Sequence, residues 1–157
     1  TAETTIHMET QMTTIAFDGK TMACDTRVVC GSNCYNTDTK IYENDFVVIG
    51  VAGGAGVGIL LVKDDSILVP KHYDFDFSAL VWVKDIETLC KVEFYKSWDC
   101  ALSSVIPIAD SFAAVGSGAP YALAAMECGY SAHGGVAVAS KFDTNTGGKI
   151  ITKQLLG

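Results

Sequence analysis

Cys24, Cys30, Cys34, Cys90, Cys100 and Cys128 are the residues of this chain whose type alone could do chemistry. Thiolates ligate zinc, form disulfides or act as nucleophiles. A zinc site needs four ligands in tetrahedral array, and Cys30 and Cys34 have no second pair or histidine cluster to complete one. His7, His72 and His133 lie far apart in sequence. Neither a metal nor any other cofactor is expected. Two uses of the thiols are left: burial as small hydrophobes, or disulfides between subunits of an extracellular assembly.

Charge narrows the partners. The net charge is −7 and the 11 basic residues are scattered, whereas binding nucleic acid calls for clustered Lys and Arg to neutralise phosphate. No nucleic acid partner is expected. A membrane-spanning helix needs about 18 or more consecutive apolar residues. The longest apolar stretches here, residues 47–51 and Val57–Val62, are broken by glycine or charge. No membrane partner is expected, and the N-terminus lacks the basic-then-apolar pattern of a secretory signal. The expected place of synthesis is the cytoplasm.

The elements that must position any site fit one domain. The 157 residues are 49% apolar, with 15 Gly, 3 Pro and no linker or repeat, enough to bury a core. Residues 13–17 and 21–25 are strand-like runs joined by Asp18-Gly19-Lys20, a strong hairpin signal. Residues 27–30 continue extended, and Gly31-Ser32-Asn33 is a turn. Residues 40–42 and 46–50 form a second pair of strands. Gly53-Gly54-Ala55-Gly56 marks tight backbone before a short helix at Val57–Val62. Residues 70–77 are an aromatic-rich loop, and 79–84 and 90–95 a further hairpin. Trp82 and Trp98 are expected as packing anchors. Residues 112–115 form a strand entering the turn at 116–120. A helix over 121–128 is stopped by Gly129, and Ser131 caps another through about Phe142. Residues 149–155 close the chain as a strand, giving an α+β fold.

In this frame, five segments in order resemble proteasome β-type subunits: TTIAFDGKTMACDTR (13–27), TKIY (39–42), VAGG (51–54), AVGSGAPYALAAM (114–126) and FDTNTGG (142–148). Within that family the chain is similar to bacterial HslV peptidases and to small HslV-like proteins encoded by bacteriophages. The resemblance spans nearly everything from Met12 onward. It implies the N-terminal-nucleophile (Ntn) hydrolase fold, a sandwich of two antiparallel β-sheets flanked by helices. It also implies that 1–12 is an N-terminal extension or propeptide and 13–157 the proteasome β/HslV-like domain.

The site residues follow from the same resemblance. Thr13 matches the threonine nucleophile, Asp25 and Lys40 its acidic and basic partners, and Gly53 the glycine whose N–H helps form the oxyanion hole. Ser117, Asp143 and Thr146 match the groups that orient the threonine amine. A threonine hydroxyl needs an adjacent base, and in this class the base is the residue's own α-amine. A nearby Lys⁺ lowers that amine's pKa, an Asp holds the Lys, and a backbone N–H stabilises the oxyanion. Taken singly, each residue has a plainer role: an exposed lysine, a hairpin end, a glycine turn or a solvated loop.

Three departures bear on activity. Thr13 is preceded by twelve residues, so its amine must be freed by removing 1–12, or by an internal start at Met12. Thr1, the other threonine able to present an amine, lacks the strand pattern and lies out of register with Asp25. The hairpin from Thr13 to Asp25 is about four residues shorter than usual, but losing residues in pairs preserves side-chain facing. Residues 57–78 are too few for two long helices, so a reduced helical layer is expected. The leading expectation is a threonine peptidase subunit in a homo-oligomer, or in an assembly with other subunits, acting on peptides. The alternative is a catalytically silent structural or assembly protein, a phage virion component possibly linked by disulfides.

Overall fold

The first hairpin sets the geometry for everything around it. In the computed structural model, which describes residues 12–54 and 56–156, β1 (Ile15–Phe17) and β2 (Thr21–Cys24) pair antiparallel, with Ile15 opposite Cys24. Asp18 makes the turn: its Oδ1 accepts the Lys20 and Thr21 amides at 3.0 and 2.8 Å. The expected extension (all but Met12), Thr1 and His7 lie outside the described residues.

Three antiparallel sheets form among the described residues. β1 and β2 sit in a four-stranded sheet with β10 (Ala113–Val115) beside β1 and β11 (Ile151–Gln154) beside β2. A five-stranded sheet runs in simple succession through β5 (Ile41–Glu43), β6 (Val47–Gly53), β7 (Phe77–Val83), β8 (Thr88–Lys96) and β9 (Ala101–Ile108). The third is a two-stranded ribbon of β3 (Arg27–Cys30) and β4 (Asn33–Asn36). The helices are α1 (Val57–Val62), α2 (Ala119–Glu127) and α3 (Ala132–Phe142).

Strand periodicity distributes the core. Ile15, Phe17, Met22 and Cys24 point from the four-stranded sheet onto Val48, Leu80, Trp82 and Leu89 of the five-stranded one. Phe17 meets Trp82 with ring centroids 5.8 Å apart. The alternate residues, Ala16 and Ala23, face the other way, against Ala122, Met126, Val136 and Ala139 of α2 and α3. Small residues on that sheet face let the helices sit close. The outer face of the five-stranded sheet buries Ile49, Phe77, Val81 and Phe94 beneath α1. Burying each such large side chain contributes about 1.5–3 kcal/mol. Tyr73 and Phe75 pack on the same cluster, so the aromatic loop covers area that α1, only 6 residues long, cannot.

Several sequence expectations need correction. Trp98, expected as a packing anchor, is 84% exposed at the turn between β8 and β9. Burial as the common fate of the thiols holds only for Cys24 and Cys90; Cys30, Cys34, Cys100 and Cys128 are exposed. β9 was not expected, and Pro107 within it explains why. Proline is tolerated on a sheet edge, which is where β9 lies. β4 takes in Asn33 from the expected turn and runs on through Asn36, an Asn-Cys-Tyr-Asn segment with weak strand signal. α2 begins earlier than expected since Pro120 fits the first helical turn, where its missing N–H costs nothing.

α3 has the cap the sequence indicated, with Ser131 Oγ accepting the Gly134 amide at 3.2 Å. The Ala132 amide, at the same end, donates to Asp18 Oδ2 at 2.9 Å. Among the described residues no helix is long and apolar enough to cross a membrane. No group of three or more His, Cys, Asp or Glu among them could hold a metal ion.

Candidate active site

Thr13 stands just before β1 and Asp25 just after β2, so the hairpin register brings them together. The pairing continues one step past the strands: the Asp25 amide donates to Thr14 O at 3.3 Å, and the Thr14 amide to Asp25 Oδ1 at 3.1 Å. The hydroxyl of Thr13 donates to the same Oδ1. Lys40, just before β5, donates from Nζ to Thr13 Oγ1 and to Arg27 O, and lies 2.9 Å from Asp25 Oδ1. Thr13, Asp25 and Lys40 are 2%, 0% and 8% exposed, so the plainer reading of Lys40 as a surface lysine does not hold.

Asp25 is the organising acceptor. Its Oδ2 takes the Gly147 amide at 3.0 Å and the Arg27 amide at 3.3 Å. Buried charges persist when paired and hydrogen-bonded, and this carboxylate has both. Burial, the largest influence, pushes the Lys40 ammonium below the ordinary lysine value, and the Asp25 carboxylate opposes that shift.

A second group closes on the main chain of Thr13 from the opposite side. β10 pairs with β1, placing Val115 opposite Ile15 and Ser117 near Thr13. Thr13 O accepts the Gly118 amide at 3.2 Å and the Ser117 hydroxyl at 3.4 Å. Asp143, at the end of α3, holds Ser117 Oγ and Thr146 Oγ1, each at 2.6 Å from Oδ2. Thr146 Oγ1 is in turn 2.8 Å from Thr14 Oγ1. Gly116 makes the approach of β10 feasible. Its φ is +99°, and a Cβ there would fall 2.2 Å from Thr13 O, so any side chain would push the threonine away.

Gly53, the last residue of β6, lines a cavity of about 110 Å³ together with Lys40 and Met12. The structure therefore brings Thr13, Asp25, Lys40, Ser117, Asp143 and Thr146 into one bonded cluster, with Gly53 on the adjoining cavity wall. Sequence reasoning passed over Thr14, Arg27 and Gly147 as site residues. The paired threonines at 13 and 14 and the glycine after Thr146 were available signals. Arg27 had none, because it acts on Lys40 through its carbonyl, a group every residue has.

Cys24 lies buried behind this cluster. Burial, more than any neighbouring group, pushes its thiol from 9.0 up to about 11. The unfolded chain loses this proton first as pH rises, so the stability associated with the neutral thiol is present below about pH 9 and lost through about pH 11. The loss should be about 3 kcal/mol. Lys40, whose folded value is lowered, acts with the opposite sign: stability rises with pH between its folded and ordinary values. Comparing the unfolding free energy of wild type with Cys24→Ala across this window separates the two. Parallel pH profiles would show that the buried thiol does not titrate differently on folding.

No protein-family model matches the sequence, and no curated protein does so.

Proposed function

We propose that the chain is a threonine peptidase subunit of the proteasome β/HslV-like kind, with the Ntn-hydrolase sandwich as its fold and Thr13 as its nucleophile. Removal of the residues before Thr13, by self-processing or trimming, is part of the proposal. One observation carries it: Lys40 bridges the Thr13 hydroxyl and the Asp25 carboxylate in a buried position beside an open cavity. Lys40 and Asp25 are already paired directly, and the Thr13 hydroxyl contacts both members of that pair, which is the setting a hydroxyl nucleophile needs.

The chemistry runs as follows. Opening the Met12–Thr13 peptide bond leaves an α-amine whose reference pKa is about 7.7–8.0, and the Lys40 ammonium lowers it by like-charge repulsion. The neutral amine takes the Thr13 hydroxyl proton as Oγ1 attacks a peptide carbonyl. The C–N bond breaks, the departing amine collects the proton, and an ester to Thr13 is left. Water then hydrolyses the ester, releasing a carboxylic acid and restoring the hydroxyl. Gly53 is assigned to the oxyanion and Ser117, Asp143 and Thr146 to orienting the amine, so preorganised donors meet the charge that develops.

Intact-mass measurement on natural material tests the reading. A species beginning at Thr13 that gains the mass of a threonine-directed electrophile is the expected result. A native particle holding only longer chains, inert to the electrophile and shrinking under reducing agent, would sink it. That outcome would favour the disulfide-linked assembly protein, for which the four exposed cysteines speak.

A further inference from the structure

We infer that β9 is the seam of a two-fold dimer, in which it pairs antiparallel with β9 of a second copy and joins the two five-stranded sheets into one. The inference does not rest on the peptidase reading. β9 is the last strand of its sheet, and among the described residues no strand lies beyond it. None of its 8 residues is buried.

The direction of its main-chain groups follows from the hairpin. The Ser97 amide donates to Cys100 O across the β8–β9 turn, and bonded and non-bonded pairs alternate along an antiparallel ladder. Residues 102, 104, 106 and 108 therefore bond to β8, while 101, 103, 105 and 107 aim their main-chain groups away from it. Pro107 agrees with this count, because it stands where β8 asks for no N–H. Ala101, Ser103 and Val105 thus present three N–H and C=O pairs to the open edge.

Another strand is what fits such an edge, and charge argues for this one. Edges that avoid pairing usually carry lysine or another charge, and residues 101–108 carry none. Two copies at −7 each repel one another, so an uncharged edge is where they meet at least cost. Apolar side chains then choose the register. Leu102 and Ile106 share a face of β9 with Ile108 and are 54% and 48% exposed. A two-fold axis at Ser104 sets Leu102 of each copy against Ile106 of the other, a favourable cross-strand pair made twice. The same axis makes Ser103 and Val105 a hydrogen-bonded pair between copies. An axis at Ser103 would face Leu102 with Ser104 instead.

Trp98 fits the Ser104 axis independently. Counted outward from that axis, the turn holding Trp98 reaches the level of Asp110 of the second copy. There a cleft of about 740 Å³ opens between the five-stranded sheet and the pair β10 and α2, lined by Ile108, Asp110, Phe112 and Leu123. An indole that is 84% exposed in the single chain finds apolar walls in it and, in Asp110, an acceptor for its N–H. Tryptophans seated in this way are frequent anchors of protein interfaces.

Oxidative cross-linking of a Ser104→Cys variant tests the register. Residues at the axis form a non-hydrogen-bonded pair with Cα atoms about 4.5 Å apart, within reach of a disulfide. Oxidised glutathione should give a covalent dimer whose bridge maps by mass spectrometry to position 104 of both chains, and Ser103→Cys should give no bridge at its own position. A bridge at 103 and none at 104 would overturn the proposed pairing. Light scattering on the full chain should show association over about 1–100 μM. Ile106→Lys and Trp98→Ala should each raise the concentration needed by at least about tenfold, with the circular dichroism of the wild type, since both side chains are exposed. A wild-type chain monomeric throughout, or folded variants that associate as well as it does, would overturn the dimer. So would a monomer whose Ser103 and Val105 amides resist hydrogen exchange, which would give the edge to another segment of the same chain.

Discussion

Asp25→Ala should destabilise the protein by about 3–5 kcal/mol, the usual cost of leaving a buried charge without its partner. The carboxylate is fully buried and accepts from the Thr13 hydroxyl, the Lys40 ammonium and the amides of Thr14, Arg27 and Gly147. Truncation strands the ammonium and removes the acceptor from three amides in one step. Set against a typical domain stability of about 5–15 kcal/mol, this is a large share, and a fall of about 2 M in the urea midpoint is the expected reading. Adding Lys40→Met to Asp25→Ala should restore part of the loss, because the stranded charge goes too. Strictly additive effects in that double-mutant cycle would show that the two groups are not coupled.

Thr13→Ala, made in protein whose chain begins at residue 13, should lower the rate of acyl-adduct formation by at least about 10⁴-fold, as loss of a nucleophile does elsewhere. The methyl group keeps the backbone in place, and the carbonyl of residue 13 still accepts from Gly118 and Ser117, so unfolding is not the expected cause. Lys40→Met should cost less, about 10²–10⁴-fold, since it removes an influence on proton transfer rather than the attacking atom. Continued adduct formation by the alanine variant would assign the chemistry to another residue. Equal losses in both variants would mean that Lys40 contributes more than electrostatics.

Much of this site was legible in the sequence for a physical reason. Thr13, Asp25 and Ser117 sit at fixed offsets from paired strands, so reading the hairpin and the strand before Gly116 nearly determines their meeting. Lys40 and Asp143 lie at element boundaries, beside β5 and α3, where a side chain's direction follows from the element. Their roles, however, came from a resemblance between segments, which spacing alone does not supply. What escaped was carried by the backbone or by tertiary context. Arg27 acts through a carbonyl, Trp98 is apolar yet caps an exposed turn, and β9 hides its strand character behind Pro107. The aromatic loop, residues 70–77, offered no periodicity, although Tyr73 and Phe75 pack on the five-stranded sheet much as a helix face would.

One end of α3 meets the β1–β2 hairpin at its turn, where Ala132 bonds to Asp18, and the other reaches the hairpin's open end indirectly, through Asp143 holding Ser117 beside Thr13. Strand, turn, helix and loop thereby form a closed truss in which each member braces the next. Fraying of the helix at one terminus leaves the other brace intact, so small local openings do little to loosen the threonine. Displacing Thr13 also parts it from Asp25, Lys40 and the Gly118 amide, and an opening that breaks several contacts together lies towards the global end of the scale. The geometry around the hydroxyl is therefore protected by architecture at both extremities of a single helix.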